Sequence, residues 1–222
     1  MGARRSRQSR SRLRDRHRYG SSRPHGVRPP LPVIVVVCDD AKTAVSYLNI
    51  LKRDVKRQLT LTVVPSPSAW AAADDILAEA VRQKASLQEQ SARDETDQES
   101  IWALVDLEQS AERREQAKSA KAKGEKIGIS VALSDPCYDL WTLLHLVDTG
   151  EEFMDCSAVI ARIEPLWKRQ FGQSFGHKGQ ADYTKIMPFV QEAVERARRH
   201  HKANDPSWTE VYRLIEEIRA RS

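Results

Sequence analysis

Aromatic residues, cysteines and long apolar runs are all scarce in this chain of 222 residues. Aromatics make up 6% and hydrophobic residues 40%, against 30% charged. That is material for one sizeable core on the polar side of average, or two small domains at most. No window approaches the roughly 18 apolar residues of a membrane span, which excludes an integral membrane protein. The three cysteines, Cys38, Cys137 and Cys156, are odd in number, far apart and never in a CxxC pair. This argues against a disulfide framework and a cysteine zinc site, and for the reducing cytoplasm. The glycine-bearing stretch Gly172–Gly179 lacks the GxxxxGK[ST] spacing, which excludes a P-loop. No internal repeat or sustained heptad is present.

Charge is plentiful but unevenly placed. The formal net charge is +5. Residues 1–30 hold ten arginines and one acid, Asp15, a local balance of +9, which leaves 26 basic and 30 acidic residues, or −4, over 31–222. The arm has almost no apolar content, and Leu13 is the only large aliphatic in its first 26 residues. It is therefore expected to be disordered, and it fits neither a secretory signal nor an amphipathic presequence. Its arginines, Arg4, Arg5, Arg7, Arg10, Arg12, Arg14, Arg16 and Arg18 foremost, suit a nucleic-acid-seeking arm whose grip weakens with salt. A solubilising tail is the other reading. The body is not a basic platform, so any basic groove on it must be local.

From Pro32 onward strand and helix signals alternate. Val33–Val37 is a β-branched run without polar alternation, as expected of a strand buried on both faces. A helix is expected over Lys42–Val55, a strand over Leu59–Val64 and a helix over Ala69–Gln90 with Trp70, Ile76, Leu77 and Val81 inward. Ser91–Ser100 reads as an acidic loop and Ile101–Val105 as a third strand. Ala111–Lys123 reads as a surface helix capped by Gly124, Ile127–Leu133 as a fourth strand, and Asp135–Val147 as a helix. After Gly150 the texture is helical only: Cys156–Arg169, Ile186–His201 and Ser207–Arg219, the last with Ser207 and Glu210 in capping-box spacing. The pattern predicts an α/β fold, a mainly parallel sheet of about four strands flanked by helices, with the C-terminal helices packed on it. The organisation is an arm (1–30) and one domain (31–222), with an α/β core over 31–150 and a helical part over 151–222.

The acids fall where such a fold places its sites. Asp39 and Asp40 follow the first strand, Asp106 and Glu108 end the third, and Asp135 and Asp139 follow the fourth. Parallel strands end on one edge, where ligands bind in open α/β folds. Asp106 and Glu108, two apart on an extended segment, point the same way. With Asp39 they make three carboxylates on one rim, a hard-oxygen donor set suited to Mg²⁺ or Mn²⁺ and to phosphodiester chemistry. The ordinary alternative is that such acids are loop and cap residues: Asp40 capping the first helix, Asp135 before Pro136 capping the next.

At these residues the chain resembles the RloB family, a Toprim-like group associated with restriction and phage-defence gene neighbourhoods. The family's opening C-E-G-E-K-T-E-like motif is met by Cys38-Asp39-Asp40-Ala41-Lys42-Thr43-Ala44, and its strand ending in D-x-D-E by Trp102–Gln109 with Asp106 and Glu108. The more specific S-N-P-C-F-E-L-W-L-L-L-H-F motif is met by Ser134-Asp135-Pro136-Cys137-Tyr138-Asp139-Leu140-Trp141-Thr142-Leu143-Leu144-His145-Leu146. A late Tyr-x-Lys, Tyr183 and Lys185, and the segment Pro206–Leu214 resemble the family's tail; the likeness covers about 31–220.

The resemblance implies a Toprim-type nuclease acting on RNA or DNA in phage defence, with Asp39 standing for the general acid or base and Asp106 and Glu108 for the Mg²⁺ pair. Asp40, Lys42, Ser134, Asp135, Asp139, His145 and Lys185 are accessory candidates. The chain departs from the family at Asp39 for Glu, one methylene or about 1.5 Å shorter, at Asp40 for Gly, at Glu108 for Asp, at Asp135 for Asn and at Asp139 for Glu. The altered first motif favours a second reading, a catalytically inert Toprim-like module that binds an ATPase of the AAA or ABC type. His145, among apolar helix neighbours, reads either as a buried histidine or as part of the acidic rim. His200 and His201 beside Arg198 and Arg199 read as a solvated helix end.

Overall fold

The computed structural model describes residues 30–66, 68, 71–91, 99–108, 110–176 and 180–222. The arginine arm up to residue 29, Trp70, Gln109, most of the expected acidic loop (92–98) and residues 177–179 of the glycine-bearing stretch lie outside the described residues. Among the described residues, no helix is long and apolar enough to cross a membrane.

Five strands form one sheet in the order β2-β1-β3-β4-β5. The strands are β1 (Val33–Cys38), β2 (Thr60–Val64), β3 (Glu99–Asp106), β4 (Ser130–Asp135) and β5 (Trp208–Thr209). The first four are mutually parallel, and β5 joins the edge of β4 antiparallel, with Ser134 opposite Thr209. The expected α/β class and mainly parallel sheet are present. The fifth strand was not expected: two residues between Ser207 and Glu210 give no run that a sequence pattern could register.

The β-branched runs are buried on both faces. Ile34, Val36 and Cys38 of β1 join Trp102 and Leu104 of β3 in the larger core, while Val35, Val37, Ala103 and Val105 face the smaller one. The smaller core is covered by α2 (Ala73–Ser91) and α3 (Ala111–Lys126); Ile76 and Leu77 of α2 face it as expected, whereas Val81 is exposed. The larger core is covered by α1 (Thr43–Val55), α4 (Asp139–Leu146), α5 (Cys156–Phe171), α6 (Val190–Ala203) and α7 (Val211–Ala220). Two 3₁₀ turns, Tyr183–Lys185 and Met187–Phe189, precede α6. The C-terminal helices thus pack on one face of the sheet, as expected.

Three local expectations are corrected. Gly124 does not end α3; it lies inside the helix, where a Cβ would stand 2.9 Å from Val131 Cγ2 and 3.2 Å from the Ile129 carbonyl. The glycine lets α3 approach β4, and Gly128, at φ +70°, makes the turn beyond the helix. The Ser207–Glu210 capping box does not form. Ser207 Oγ instead accepts the Phe153 N–H at 2.9 Å, and Glu210 turns inward to the sheet. Finally, Cys137 and Cys156, 19 residues apart with Cα atoms 5.6 Å from each other, form a disulfide, leaving Cys38 as the free, buried cysteine. The sequence separation hides a proximity that the packing of α4 against α5 creates.

Candidate carboxylate site

The chain runs from β1 to β2 on one side, then returns past β1 to β3 on the other. A consistent crossover hand puts α1 and α2 on opposite faces, and their separate cores agree. A crevice therefore opens between the C-terminal ends of β1 and β3, the switch point where open α/β sheets bind ligands. Asp39 and Asp106 stand on its two sides. The Asp39 N–H donates to the Leu104 carbonyl at 3.1 Å, and the Asp106 N–H donates to Asp39 Oδ2 at 3.1 Å.

Asp39, Asp40, Lys42, Thr43, Asp106, Glu108, Tyr138, Asp139 and Cys156 line a cavity of about 490 Å³ there. A neighbouring cavity of about 450 Å³ shares Asp106, Glu108 and Cys156 and adds Ser110, Arg113, Pro136, Cys137 and Asp155. Burial pushes the Asp39 carboxyl up to about 6, with the negative charges of Glu108 and Asp40 adding to it and the Asp106 N–H and Arg113 opposing it. Asp106 is raised well above the usual carboxylate range by burial, then by Asp39, Asp40 and Asp139, while the Tyr138 backbone N–H offsets part of this. Asp139 is pushed up to about 7 by burial and by Asp40. The site is a group of half-buried and buried acids short of counter-charge.

The other acids are partly or wholly compensated. Asp40 is not the N-cap of α1, which is Lys42, but its carboxylate serves the helix start, accepting the Lys42 N–H at 2.6 Å and the Ala44 N–H at 3.2 Å, although burial still raises it. Glu108 reaches both cavities but is not on an extended segment. Its φ is +48°, its N–H donates to the Pro136 carbonyl at 3.3 Å, and its carboxylate pairs with Arg113 at 2.5 Å. The two-residue alternation assumed for Asp106 and Glu108 is thus broken after β3, and a turn, not the pleat, brings Glu108 to the rim.

The third motif divides among three places. Asp139 opens α4 at the cavity wall. Asp135, before a cis bond to Pro136, turns toward α3 and pairs with both Arg114 amino groups at 2.7 and 2.6 Å. It therefore caps no helix; α4 starts four residues later. Ser134 Oγ lies 2.8 Å from Thr209 Oγ1 inside the sheet. Lys185 does not line the acidic cavities; its Nζ sits 5.7 Å from the Phe171 ring centroid. His200 is not a solvated end: its ring nitrogens meet Asp205 and Asp148. The residues that sequence reasoning missed are Tyr138, Arg113, Cys137 and Cys156. Cys137 lies inside the most specific motif, and that was its one available signal.

His145 is a core residue, away from the rim. Its Nδ1, 2.8 Å from the Trp141 carbonyl, must carry the proton and donate it, so Nε2 accepts from the Tyr47 hydroxyl at 3.1 Å. Tyr47, Trp141 and His145 meet edge-on. Burial, against the Trp141 carbonyl, drives the imidazole down to about 3. Below the ordinary histidine range the unfolded chain takes up a proton that the folded chain refuses. Stability from this group therefore falls as pH drops from about 6.5 towards 3, by up to about 1.4 kcal/mol per pH unit. The free-energy difference between wild type and His145→Gln, followed by urea unfolding, should shrink between pH 7 and 5. Parallel pH profiles for the two proteins would contradict a neutral buried imidazole.

The arrangement defines a class: an α/β protein with an acidic crevice at the switch point of a mainly parallel sheet. The chain belongs to the RloB-like protein family, whose model matches residues 34–218. No curated protein matches the sequence. A de novo designed Rossmann fold protein is similar in structure at 13% identity with a TM-score of 0.28, covering 46% of this chain and 84% of that one. So low a score carries no argument.

Proposed function

We propose that the protein is a Mg²⁺- or Mn²⁺-dependent nuclease of Toprim type, acting on RNA or DNA in cytoplasmic phage defence. The observation that carries this reading is the convergence of Asp39, Asp106 and Asp139 in one cavity, each raised by burial and by a neighbouring acid. The donor set fits a hard divalent cation: carboxylate oxygens, incompletely compensated, beside a cavity with room for a phosphate. Asp39 and Asp106 would hold the ion, with Asp139 and Glu108 at its margin. When bound, it supplies Lewis acidity and neutralises charge on a phosphodiester.

The chain's own groups supply the rest. Asp39 Oδ2 is committed to the Asp106 N–H, which leaves Oδ1 to hold or pass a proton. Arg113 keeps Glu108 in place and lines the second cavity, where a phosphate would meet its guanidinium. Lys42 lies at the first cavity's exposed margin. The arginine arm would add sequence-independent affinity for nucleic acid.

Asp39→Asn should abolish cleavage of RNA and DNA with Mg²⁺ or Mn²⁺ while leaving the fold intact. Asp39→Glu should preserve or raise it, since proton transfer needs heavy atoms within about 2.6–3.2 Å and Glu restores reach. Cleavage undiminished in Asp39→Asn would remove the proposed centre.

The second reading, an inert module for an ATPase of AAA or ABC type, is favoured by the acids already engaged: Asp40 at the start of α1 and Glu108 with Arg113. Calorimetry with Mn²⁺ on wild type and Asp106→Ala separates the two. An inert module gives no heat that depends on Asp106.

A further inference from the structure

The disulfide stands at the wall between the two acidic cavities. Cys156 lines both and Cys137 lines the second. Beside them lies Asp139, 9% exposed, and one ligand atom from each of the three residues lies within 4.8 Å of the others. Among the described residues the one group within hydrogen-bond range of the Asp139 carboxylate is Cys156 Sγ, at 3.4 Å from Oδ2. A sulfur in a disulfide has no proton to donate. The oxidised pair therefore leaves a nine-tenths buried acid with no side-chain donor and no cation among the described residues.

We propose that in the reduced chain Cys137, Cys156 and Asp139 form a binding site for a thiophilic divalent cation of the Zn²⁺ type, and that the disulfide is the closed form of that site. Two thiolates and one carboxylate with a fourth position open make a donor set that Zn²⁺ accepts and Mg²⁺ does not. Zn–S bonds of about 2.3 Å at a tetrahedral angle hold two sulfurs about 3.8 Å apart. With Cα atoms 5.6 Å apart, side-chain rotation alone can provide that separation. Cys156 is the first residue of α5, a 16-residue helix, whose N-terminal end favours the thiolate. The Asp139 oxygen near Cys156 Sγ becomes a ligand in place of an orphan.

The redox step balances with a small thiol as co-reactant. Two thiol molecules give two electrons and two protons to the S–S bond, forming two S–H groups and one external disulfide. Binding of the cation then releases the two thiol protons to solvent.

This site shares Asp139 and a cavity wall with the proposed nuclease centre, but it takes a different class of ion and does not rest on that reading. Co²⁺ is the probe, because sulfur-to-cobalt charge transfer absorbs in the near ultraviolet only when thiolate is a ligand. The full-length chain, reduced with a phosphine and freed of it, should show that band at one Co²⁺ per chain, and Zn²⁺ should displace it. Oxidation of the wild-type protein by diamide should remove the band. Asp106→Ala, which disables the hard-oxygen centre, should retain it. Cys137→Ser and Cys156→Ser should lose it, and Asp139→Asn should weaken Co²⁺ binding by about tenfold or more. The proposal is overturned if the reduced wild type gives no sulfur band, if the band survives diamide or both serine substitutions, or if native protein refuses reduction. The diamide arm holds even if a serine variant fails to fold.

Discussion

Asp106→Asn is expected to abolish Mn²⁺-dependent cleavage and, in metal-free buffer, to make the protein more stable than wild type. Both effects follow from one carboxylate. Asp106 ends β3, where burial and then Asp39, Asp40 and Asp139 raise its pKa and the Tyr138 N–H opposes them. A charge in that position costs free energy until a cation joins it. Asparagine keeps the size and an oxygen that accepts the Tyr138 N–H, and it removes the charge. Metal-free stability should rise by about 1–3 kcal/mol. The several kcal/mol of charge stabilisation that a bound divalent ion supplies would be lost, about 10³-fold or more in rate. Thermal unfolding with a chelator and then with Mn²⁺ checks both halves. Wild type should gain Tm with Mn²⁺ and the variant should not. A variant that is less stable than wild type in chelator, or that keeps the Mn²⁺ gain, would show that Asp106 is not an uncompensated ligand.

That pair of effects was legible at the level of placement. A β-branched run ending in Cys38-Asp39 and a second strand ending in Asp106 suffice to put two acids on one sheet edge, because parallel strands share a C-terminal edge. Sequence pattern does not say that β1 and β3 are neighbours; the return of the chain past β1 makes them so. Three features had no such signal. Glu108 comes to the rim through a left-handed residue after the strand, where alternation no longer applies. Asp139, not Asp135, reaches the cavity because the chain turns at Pro136 and the Asp135 side chain meets Arg114 on α3. Asp139 and Asp135 are equally plausible on paper, and only the course of the turn separates them. The cysteine pair depends on how α4 meets α5, a tertiary property that spacing cannot express. Conversely, His145 was open between two readings, and its solution lies in Tyr47, 98 residues away.

Glu210→Ala is expected to cost about 3–5 kcal/mol of folding stability, the largest loss from any single truncation outside the apolar core. Glu210 is 2% exposed and closes the antiparallel corner of the sheet. Its N–H donates to the Leu133 carbonyl at 2.8 Å, and its Oε2 accepts the Leu133 N–H at 3.1 Å. Thus one residue continues the β4–β5 ladder with both backbone and side chain. Lys121 of α3 meets both carboxylate oxygens at 2.5 Å, and Arg213 stands 3.3 Å from Oε1. Alanine leaves the Leu133 N–H without its acceptor and the largely buried Lys121 ammonium without its counter-charge. The two losses can be separated. Glu210→Gln keeps an acceptor for Leu133 and removes only the charge, so it should cost less than alanine. Lys121→Met combined with Glu210→Gln should recover most of the remainder, since a neutral pair leaves no ammonium to desolvate. Urea unfolding of wild type, Lys121→Met, Glu210→Gln and the double variant gives the cycle, with Glu210→Ala measured beside it. If Glu210→Ala costs under about 1 kcal/mol, the Lys121 pair behaves as a solvated surface contact, and β5 is held by its two ladder residues alone.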